Sequence, residues 1–192
     1  TAGPPRPAML THGNLRANVN QMLALPQLVP QEGDVSLCVL PLFHIMGLNA
    51  ILGAALTGGV TVLLMERFDP QSALEAIQKH GINVIGGAPA MWAAWASMPG
   101  VPADAFSGVR IAVSGAAALS PDVVERMAER FGVDLTEGYG LTEASPVVTS
   151  SLGMEPRVGS IGAPLDGIEV RLVDHDGEDV LVGDPGEIWV RG

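Results

Sequence analysis

The chain has 192 residues, an apolar fraction of 47% and a formal net charge of −11 at pH 7. Such an acidic surface repels nucleic-acid phosphates, and the sequence has no basic patch, which excludes a nucleic-acid binder. No apolar run reaches the ~18 residues that a membrane-spanning helix needs, so no transmembrane segment is predicted. The single cysteine, Cys38, leaves no intrachain disulfide, and we therefore expect a reducing, cytoplasmic location. The excess of arginine over lysine, with abundant alanine and glycine, indicates a bacterial source.

Strand-like and helix-like segments alternate through residues 1–150. Apolar runs predict strands at residues 35–40, 60–65, 82–85, 109–113 and 133–135. Helices are predicted at residues 12–25, 46–56, 70–80 and 122–131, and around Trp92 and Trp95. Thr11 is predicted to cap the first helix, and Asp69 followed by Pro70 is a typical helix start. Because the strands are almost continuously apolar, the pattern favours an α/β fold, with a doubly wound, mostly parallel sheet and flanking helices.

The character of the sequence changes after Pro156. Residues 168–173 and 187–190 are predicted strands, and residues 174–177 form the turn that leaves the first of them. We expect this pair to begin a small antiparallel β subdomain. The predicted organisation is an α/β core over residues 1–150, followed by a β-rich segment over residues 151–192.

The most informative segment is Gly138-Tyr139-Gly140-Leu141-Thr142-Glu143, hereafter the motif segment (residues 138–143). It follows the predicted strand 133–135, and its two glycines are expected to let the backbone turn sharply there. An aromatic face suits a purine, a hydroxyl suits a phosphate oxygen, and a carboxylate suits the Mg²⁺ that accompanies nucleotide phosphates. Taken alone, these residues fit a polar loop that closes an α/β unit equally well.

Four loops leave predicted strands at the edge where open α/β sheets bind ligands, and most are rich in small residues. They are residues 41–44, residues 86–89, residues 114–118 and the motif segment. Backbone in such loops can approach a ligand closely. Together the four predict a crevice at the carboxyl edge of the sheet.

In their order and spacing, these segments resemble the acyl-adenylate-forming enzymes, the acyl-CoA synthetase family. The motif segment is similar to the family motif YGxTE, and residues 41–44 with Gly47 are similar to PLFHxxG. Residues 114–117 lie where the family has an SGGAP-like adenine loop. Gly186-Glu187-Ile188 is similar to the family's GEL/I motif.

The first residues resemble the later part of the family's phosphate loop, usually TSGTTGxPKGxxxTH. The matching positions are Thr1, Gly3, Pro5, Arg6, Thr11 and His12. Arg6 replaces the usual lysine and is bulkier, and Pro7 replaces a glycine and stiffens a loop that wraps phosphates. The resemblance places a ribose-binding aspartate and a lid with the catalytic lysine beyond Gly192. We therefore interpret the chain as a fragment of the large N-terminal domain, and we expect no turnover by the fragment alone.

The resemblance implies a role for each matched residue. Glu143 would bind the Mg²⁺ that bridges the ATP phosphates, Thr142 and Thr1 would contact phosphate, and His44 would lie between the acyl pocket and the reacting carboxylate. The implied catalytic residues are Glu143, Thr142 and His44. The implied nucleotide-binding residues are Thr1, Gly3, Arg6, Gly115, Ala116, Ala117, Gly138, Tyr139, Gly140 and Thr142.

Several assignments stay open on the residues alone. Glu137 precedes the motif segment in a second Thr-Glu pair and competes with Glu143 as metal ligand, although the resemblance favours Glu143. His44 follows an apolar strand, where a histidine can be a satisfied core residue. Trp92 and Trp95 are expected in the core, and Trp92 is also a candidate for lining an acyl tunnel.

The predicted function is an ATP-dependent acyl-CoA ligase that uses ATP, Mg²⁺ and CoA. Residues 43–47 offer no carboxylate to pair with the ammonium group of an amino acid, so the substrate is expected to lack one. The apolar content of residues 86–95 favours a fatty or aryl carboxylic acid. Two alternatives remain: a relative that passes the acyl group to an acyl carrier protein, and a non-catalytic nucleotide- or acyl-binding module.

Overall fold

The computed structural model describes residue 4 and residues 6–192. The strands are β1 (Val35–Cys38), β2 (Thr61–Leu64), β3 (Val84–Gly87), β4 (Ile111–Ser114), β5 (Thr136–Gly140), β6 (Val147–Ser150), β7 (Ala163–Pro164), β8 (Glu169–Val173) and β9 (Glu187–Arg191). The α-helices are α1 (His12–Leu23), α2 (Ala54–Gly58), α3 (Pro70–His80), α4 (Pro89–Ser97) and α5 (Pro121–Phe131). A π-helix (Met46–Gly53) leads directly into α2, and short 3₁₀ turns span Pro26–Leu28 and Thr142–Ala144.

Seven strands form one sheet in the order β2-β1-β3-β4-β5-β6-β7. Strands β1 to β5 pair in parallel, and β6 and β7 extend the sheet with antiparallel pairs. The carboxyl ends of β1, β3, β4 and β5 therefore meet at one edge. The predicted α/β class with a mostly parallel sheet is confirmed.

Helices cover both faces of this sheet. On one face, α3, α4 and α5 enclose the larger hydrophobic core, which centres on Trp95. The Trp95 ring packs edge-on against Phe68, Trp92 and Phe106 at centroid distances of 5.2–5.3 Å, and its Nε1–H donates to the Pro70 carbonyl. Trp92 and Trp95 are fully buried, so the prediction of core packing is confirmed. On the other face, α1 and the π-helix enclose a smaller core around Val19, Met22 and Leu165.

Local signals set the helix boundaries well. Thr11 caps α1, since its hydroxyl accepts the Asn14 N–H, and Asp69 caps α3 by accepting the Ser72 N–H at 2.8 Å. Pro70 occupies the first position of α3, where no N–H is required. In α5 the residues Val123, Met127 and Phe131 share the buried face, as their spacing predicts.

Two predicted elements are wrong in detail. Residues 133–135 form no strand, and the fifth strand is instead Thr136–Gly140, so half of the motif segment is strand rather than turn. The predicted helix 46–56 begins with eight residues of π-helix before it becomes α-helical. Strands β6 and β7 are not among the predicted elements.

The second sheet contains β8 and β9, which pair antiparallel from Glu169↔Arg191 to Val173↔Glu187. The predicted antiparallel pair is thus confirmed. The division of the chain at residue 150 stays a prediction. Within residue 4 and residues 6–192, no helix is both long enough and apolar enough to cross a bilayer.

Candidate active site

One cavity of about 250 Å³ runs along the face of the parallel sheet that α1 and the π-helix cover. At the carboxyl edge it opens among the loops that follow β1, β4 and β5. At the amino edge it ends at Asp34, before β1, and Arg110, before β4. Between these ends its walls are mostly apolar side chains of the sheet, α1, the π-helix and α2, with Ser36, Ser114 and Thr149 also in the lining. The apolar residues include Met22, Ile51, Ala54, Val84, Ile111 and Val113.

The structure brings most of the predicted site residues to the carboxyl end of this cavity. Its lining there includes His44, Gly115, Ala116, Gly138, Tyr139 and Gly140. Ala117, Thr142, Glu143 and Arg6 are described and exposed but lie outside the lining. Thr1 and Gly3, together with Pro5, fall outside the described residues, so their predicted part in a phosphate loop stays a prediction. The fold therefore places three of the four predicted loops around one opening. The fourth loop, residues 86–89, contributes only Gly86 to the lining.

Trp92 does not line the cavity, although it was a candidate for an acyl tunnel. It lies in the core formed with α3, α4 and α5, on the opposite face of the sheet. Of residues 86–95, only Gly86 belongs to the lining. The apolar character of the cavity comes instead from α1, the π-helix and the sheet.

In the motif segment, Gly138, Tyr139 and Gly140 form the end of β5 and pair with β6. The two glycines are therefore not turn residues. A Cβ on Gly140 would lie 2.2 Å from the Pro146 carbonyl oxygen, which is an impossible contact, so glycine is required for close backbone approach. This approach brings the Leu141 N–H to the Pro146 carbonyl at 3.0 Å and folds the chain back immediately after the motif segment.

The fold-back places Thr142 and Glu143 in a single 3₁₀ turn, exposed to solvent beside the cavity mouth. Glu143 makes none of the side-chain hydrogen bonds or ion pairs found among the described residues. Glu137 is different: it is half-buried, and its Oε2 accepts the Leu119 N–H at 3.2 Å. The contacts therefore favour Glu143 as the carboxylate free to bind a cation, with Glu137 anchoring the end of the loop after β4.

His44 lies at the mouth in a defined orientation. Its Nδ1 accepts the Met46 N–H at 3.2 Å, so in the neutral ring the proton is on Nε2, which is left to donate to a ligand. Gly47 permits this arrangement, because a Cβ there would lie 2.5 Å from the Pro41 carbonyl oxygen. The PLFHxxG pattern thus packs the start of the π-helix directly onto the end of the β1 segment.

The loop after β4 contains a strained alanine. Ala116 adopts φ = 71°, a left-handed conformation that a residue with a Cβ reaches only at a cost of roughly 1–2 kcal/mol. Strain of this kind collects at ligand-binding loops, where the surrounding structure imposes the backbone path. The path keeps Ala116 exposed at the cavity lining.

We predict that Ala116→Gly raises the free energy of unfolding by about 0.5–1 kcal/mol, since glycine removes the Cβ strain and loses part of the gain to chain entropy. Urea denaturation measures the change. Ala118→Gly, in the same loop but without a positive φ, is the control and should lower stability by a similar amount. An equal change in the free energy of unfolding for the two variants would show that Ala116 is not strained.

Two buried asparagines outside the predicted set of site residues hold the site in place. The Asn49 Nδ2 donates to the carbonyls of Leu15 (3.0 Å) and Ser145 (2.7 Å), linking the π-helix to α1 and to the turn that follows Glu143. The Asn18 side-chain amide donates to the Val147 carbonyl and accepts the Val147 N–H, so it pairs with the backbone of β6 as the peptide group of a neighbouring strand would. Asn49 is a polar residue inside an apolar run, which signals such a role without revealing the partner, whereas Asn18 lies in a segment with several other polar residues and gives no signal.

The ion pair at the amino end of the cavity was also not predicted. Arg110 contacts Asp34 through Nη2 (2.5 Å) and Nε (3.3 Å), and the Asp34 side chain is only 3% exposed. Burial alone raises the pKa of Asp34, but the Arg110 guanidinium, the Gln31 N–H and the Asn83 amide together hold that pKa below its ordinary value. The pair is therefore charged at neutral pH.

The donor set at the mouth fits a nucleotide with its cation. Mg²⁺ is commonly held by one or two carboxylates together with substrate phosphates, and Glu143 with the neighbouring Thr142 hydroxyl offers this combination. Tyr139 presents a ring at the lining, and the small residues at 115 and 116 leave space beside it. The cavity behind the mouth can take an apolar group.

Comparison with known proteins points the same way. The whole chain, residues 1–192, matches the family model described as AMP-binding enzyme. It is 38% identical to 4-coumarate–CoA ligase 3 of Arabidopsis thaliana and 37% identical to 4-coumarate–CoA ligase 1 of Petroselinum crispum. Each alignment covers 100% of this chain, but 36% and 37% of the respective relative.

Solved structures share the fold. Apo MatB from Rhodopseudomonas palustris superposes with a TM-score of 0.90 at 28% identity, covering 100% of this chain and 38% of that one. O-succinylbenzoate coenzyme A synthetase from Bacillus subtilis, in complex with ATP and magnesium ion, gives 0.81 at 28% identity, covering 96% of this chain and 38% of that one. The chain thus spans little more than a third of the length of these proteins.

Proposed function

Because the chain belongs to the family of AMP-binding enzymes, we propose that it forms part of a ligase that joins a carboxylic acid to CoA. In the first step, a carboxylate oxygen of the acid attacks the α-phosphorus of ATP and pyrophosphate leaves, which gives an acyl-adenylate. In the second step, the CoA thiol attacks the acyl carbonyl, the thioester forms and AMP leaves. The observation that carries the proposal is the apolar cavity whose mouth is formed by His44, Gly115 and the motif segment.

Each residue at the mouth has a task in the first step. Tyr139 would stack on the adenine, with the loop at 115–117 on its other side. His44 would donate from Nε2 to the acid's carboxylate and orient it towards the α-phosphorus. Thr142 would contact a phosphate oxygen, and Glu143 would hold Mg²⁺, which when bound neutralises charge on the phosphates. Such positioning supplies most of the catalysis in phosphoryl-type transfers.

The acid is proposed to be apolar and without an ammonium group. The one carboxylate among the described cavity residues, Asp34, is already paired with Arg110, so an amino acid would bury an unpaired cation. An aryl acid is favoured over a fatty acid by the relatives named 4-coumarate–CoA ligase. The same names favour CoA over a carrier protein as acceptor.

The proposal is tested by calorimetric titration of the chain with non-reactive acyl-sulfamoyl-adenosines that carry aryl or alkyl groups. We expect binding that weakens at least tenfold in Tyr139→Ala and in His44→Ala, since each removes a contact to the ligand. His80→Ala, at an exposed histidine on α3, is the matched control and should bind as the unaltered chain does. Binding that is unaffected by all three substitutions would place the ligand elsewhere and overturn the proposal.

A further inference from the structure

One short turn carries the two residues proposed to contact the phosphates and the cation. The turn spans Thr142–Ala144, and Ser145 closes it by donating its N–H to the Thr142 carbonyl at 3.1 Å. Thr142 and Glu143 are exposed, whereas Ser145 is buried. The turn is therefore attached to the body of the protein through its last residue.

A hydrogen bond from Asn49 makes this attachment. Among the described residues, the bond from the Asn49 Nδ2 to the Ser145 carbonyl (2.7 Å) is the only hydrogen bond that joins residues 142–145 to the chain outside residues 141–145. The buried Ser145 hydroxyl has no partner in the described part of the chain and offers no second anchor. Ser145 also adopts φ = 72°, which a residue with a Cβ reaches only under strain, so the surrounding structure must impose the turn.

The Asn49 side chain is itself held firmly. It is buried, and both hydrogens of its Nδ2 are used, one for Ser145 and one for the Leu15 carbonyl on α1 at 3.0 Å. Its Oδ1 lies against Gly53 of the same π-helix, where a Cβ would be only 2.8 Å from that oxygen. Within the described residues, Asn49 does not line the cavity. It can therefore act on a ligand only through the residues that it holds.

We infer, on the basis of the proposed function, that Asn49 is a positioning residue for the complex of nucleotide and Mg²⁺. By holding the Ser145 carbonyl, it keeps Thr142 and Glu143 in the orientation that the phosphates and the cation require. Loss of an outer-shell partner of a metal site typically lowers metal affinity by about 10- to 100-fold. Because Asn49 acts through the backbone of the turn and not on the carboxylate itself, we expect the lower end of this range.

The adenine side of the site should not depend on Asn49. Tyr139 and Gly115, proposed to flank the base, belong to β5 and to the loop after β4. The hydrogen bonds that Asn49 makes among the described residues reach neither of them. AMP lacks the β- and γ-phosphates, so its affinity should be the same with and without the Asn49 amide.

Calorimetric titration of the chain with AMP, and with α,β-methylene-ATP in the presence of Mg²⁺, tests the inference. In Asn49→Leu, the affinity for the magnesium complex should fall about tenfold, whereas the affinity for AMP should be unchanged. The matched control is Asn18→Leu, which removes another buried asparagine amide, bonded to Val147 of β6 and not to the turn. The control should leave the ratio of the two affinities unchanged.

A double-mutant cycle with Glu143→Gln separates positioning from a general loosening of the site. If Asn49 acts through Glu143, then Asn49→Leu adds no further loss of affinity for the magnesium complex once the carboxylate has been removed. A general loosening would instead lower the affinity by the same factor in both backgrounds.

A second variant leaves Asn49 in place and moves it. In Gly53→Ala the new Cβ would lie 2.8 Å from the Asn49 Oδ1, so the amide must shift away from its present position. Alanine is also the stronger helix former, which favours a folded variant. We expect the same selective loss of affinity for the magnesium complex, so the inference is decided even if Asn49→Leu does not fold.

The outcomes separate the inference from the proposed function. The role of Asn49 is overturned, and the acyl-adenylate proposal left standing, by any of three results: an unchanged affinity for the magnesium complex in the Asn49 and Gly53 variants, equal losses for AMP and the magnesium complex, or the same selective loss in Asn18→Leu. Failure of the unaltered chain to bind either nucleotide overturns the proposed function, and the role of Asn49 with it.

Discussion

Arg110→Met should lower the free energy of unfolding at neutral pH by about 3–5 kcal/mol, the loss expected when one partner of a buried ion pair is removed. The substitution leaves the Asp34 carboxylate in a nearly closed site with only neutral hydrogen-bond donors. The Gln27 carbonyl loses its donor as well. Methionine fills much of the vacated volume, so the effect reports charge rather than an empty space.

The pH dependence of this loss identifies its cause. In the unaltered chain the pKa of Asp34 lies below its ordinary value, so the contribution of this carboxylate to stability is complete above the unfolded-state pKa and is lost as the pH falls through the lower, folded-state value. In Arg110→Met, burial without the guanidinium raises the pKa of Asp34. The free energy of unfolding of the variant is therefore lowest relative to the unaltered chain at neutral pH. The difference between the two chains becomes smaller as the pH falls and the Asp34 carboxyl group takes up a proton.

Urea denaturation of both chains between pH 4 and pH 7 measures this difference. The matched control is Arg126→Met, which breaks the exposed pair with Asp122 and should cost no more than about 1 kcal/mol. A loss in Arg110→Met that stays constant with pH would show that packing, and not the unpaired carboxylate, accounts for the destabilisation.

Helices and parallel strands were predictable because their signals are local. The Asp69-Pro70 start of α3 lies at the predicted residue, since the cap bonds and the proline φ depend only on neighbours in the chain. The apolar runs at β1, β2, β3 and β4 fixed the core of the sheet for the same reason. A strand that is buried on both faces has a nearly continuous apolar sequence, whatever its neighbours are.

The fifth strand was misplaced because its real residues lack a strand pattern. Thr136–Gly140 contains two glycines, and what makes it a strand is pairing with β4 and β6. The required partner, β6, follows a turn at Ser145 and Pro146, and β5 becomes a strand only when that turn has brought β6 beside it. Non-local pairing, rather than local preference, decides the structure here.

The two ends of the cavity also differ in how far local sequence predicts them. His44 and the motif segment are read from short patterns, and the loops that carry them meet because the parallel strands end at a common edge. Asp34 and Arg110 are 76 residues apart, and each precedes its strand without any motif. Their pairing follows only from the neighbouring positions of β1, β3 and β4. The sequence therefore indicated the residues at the mouth of the cavity and left its far end unassigned.

Glu143→Gln should reduce the Mg²⁺-dependent affinity of the chain for a non-hydrolysable ATP analogue by at least 10- to 100-fold. Loss of an outer-shell partner of a metal already costs about that much, and Glu143 is proposed as a direct ligand. The free energy of unfolding of Glu143→Gln should differ from that of the unaltered chain by less than about 0.5 kcal/mol, because the exposed Glu143 carboxylate makes no side-chain hydrogen bond or ion pair among the described residues. Glu137→Ala should behave oppositely: it frees the Leu119 N–H and lowers stability by about 1–3 kcal/mol.

Calorimetric titration of the ATP analogue with and without Mg²⁺, beside urea denaturation of the same variants, separates the two glutamates. Glu155→Gln, at another exposed carboxylate, is the matched control and should change neither quantity. Since glutamine keeps the size of the side chain and removes only the charge, a loss confined to Glu143→Gln assigns the cation to that residue. If Glu137→Ala instead abolishes the effect of Mg²⁺ while Glu143→Gln retains it, the metal ligand is the first glutamate of the repeated Thr-Glu pair, and the motif segment serves only to bind the base.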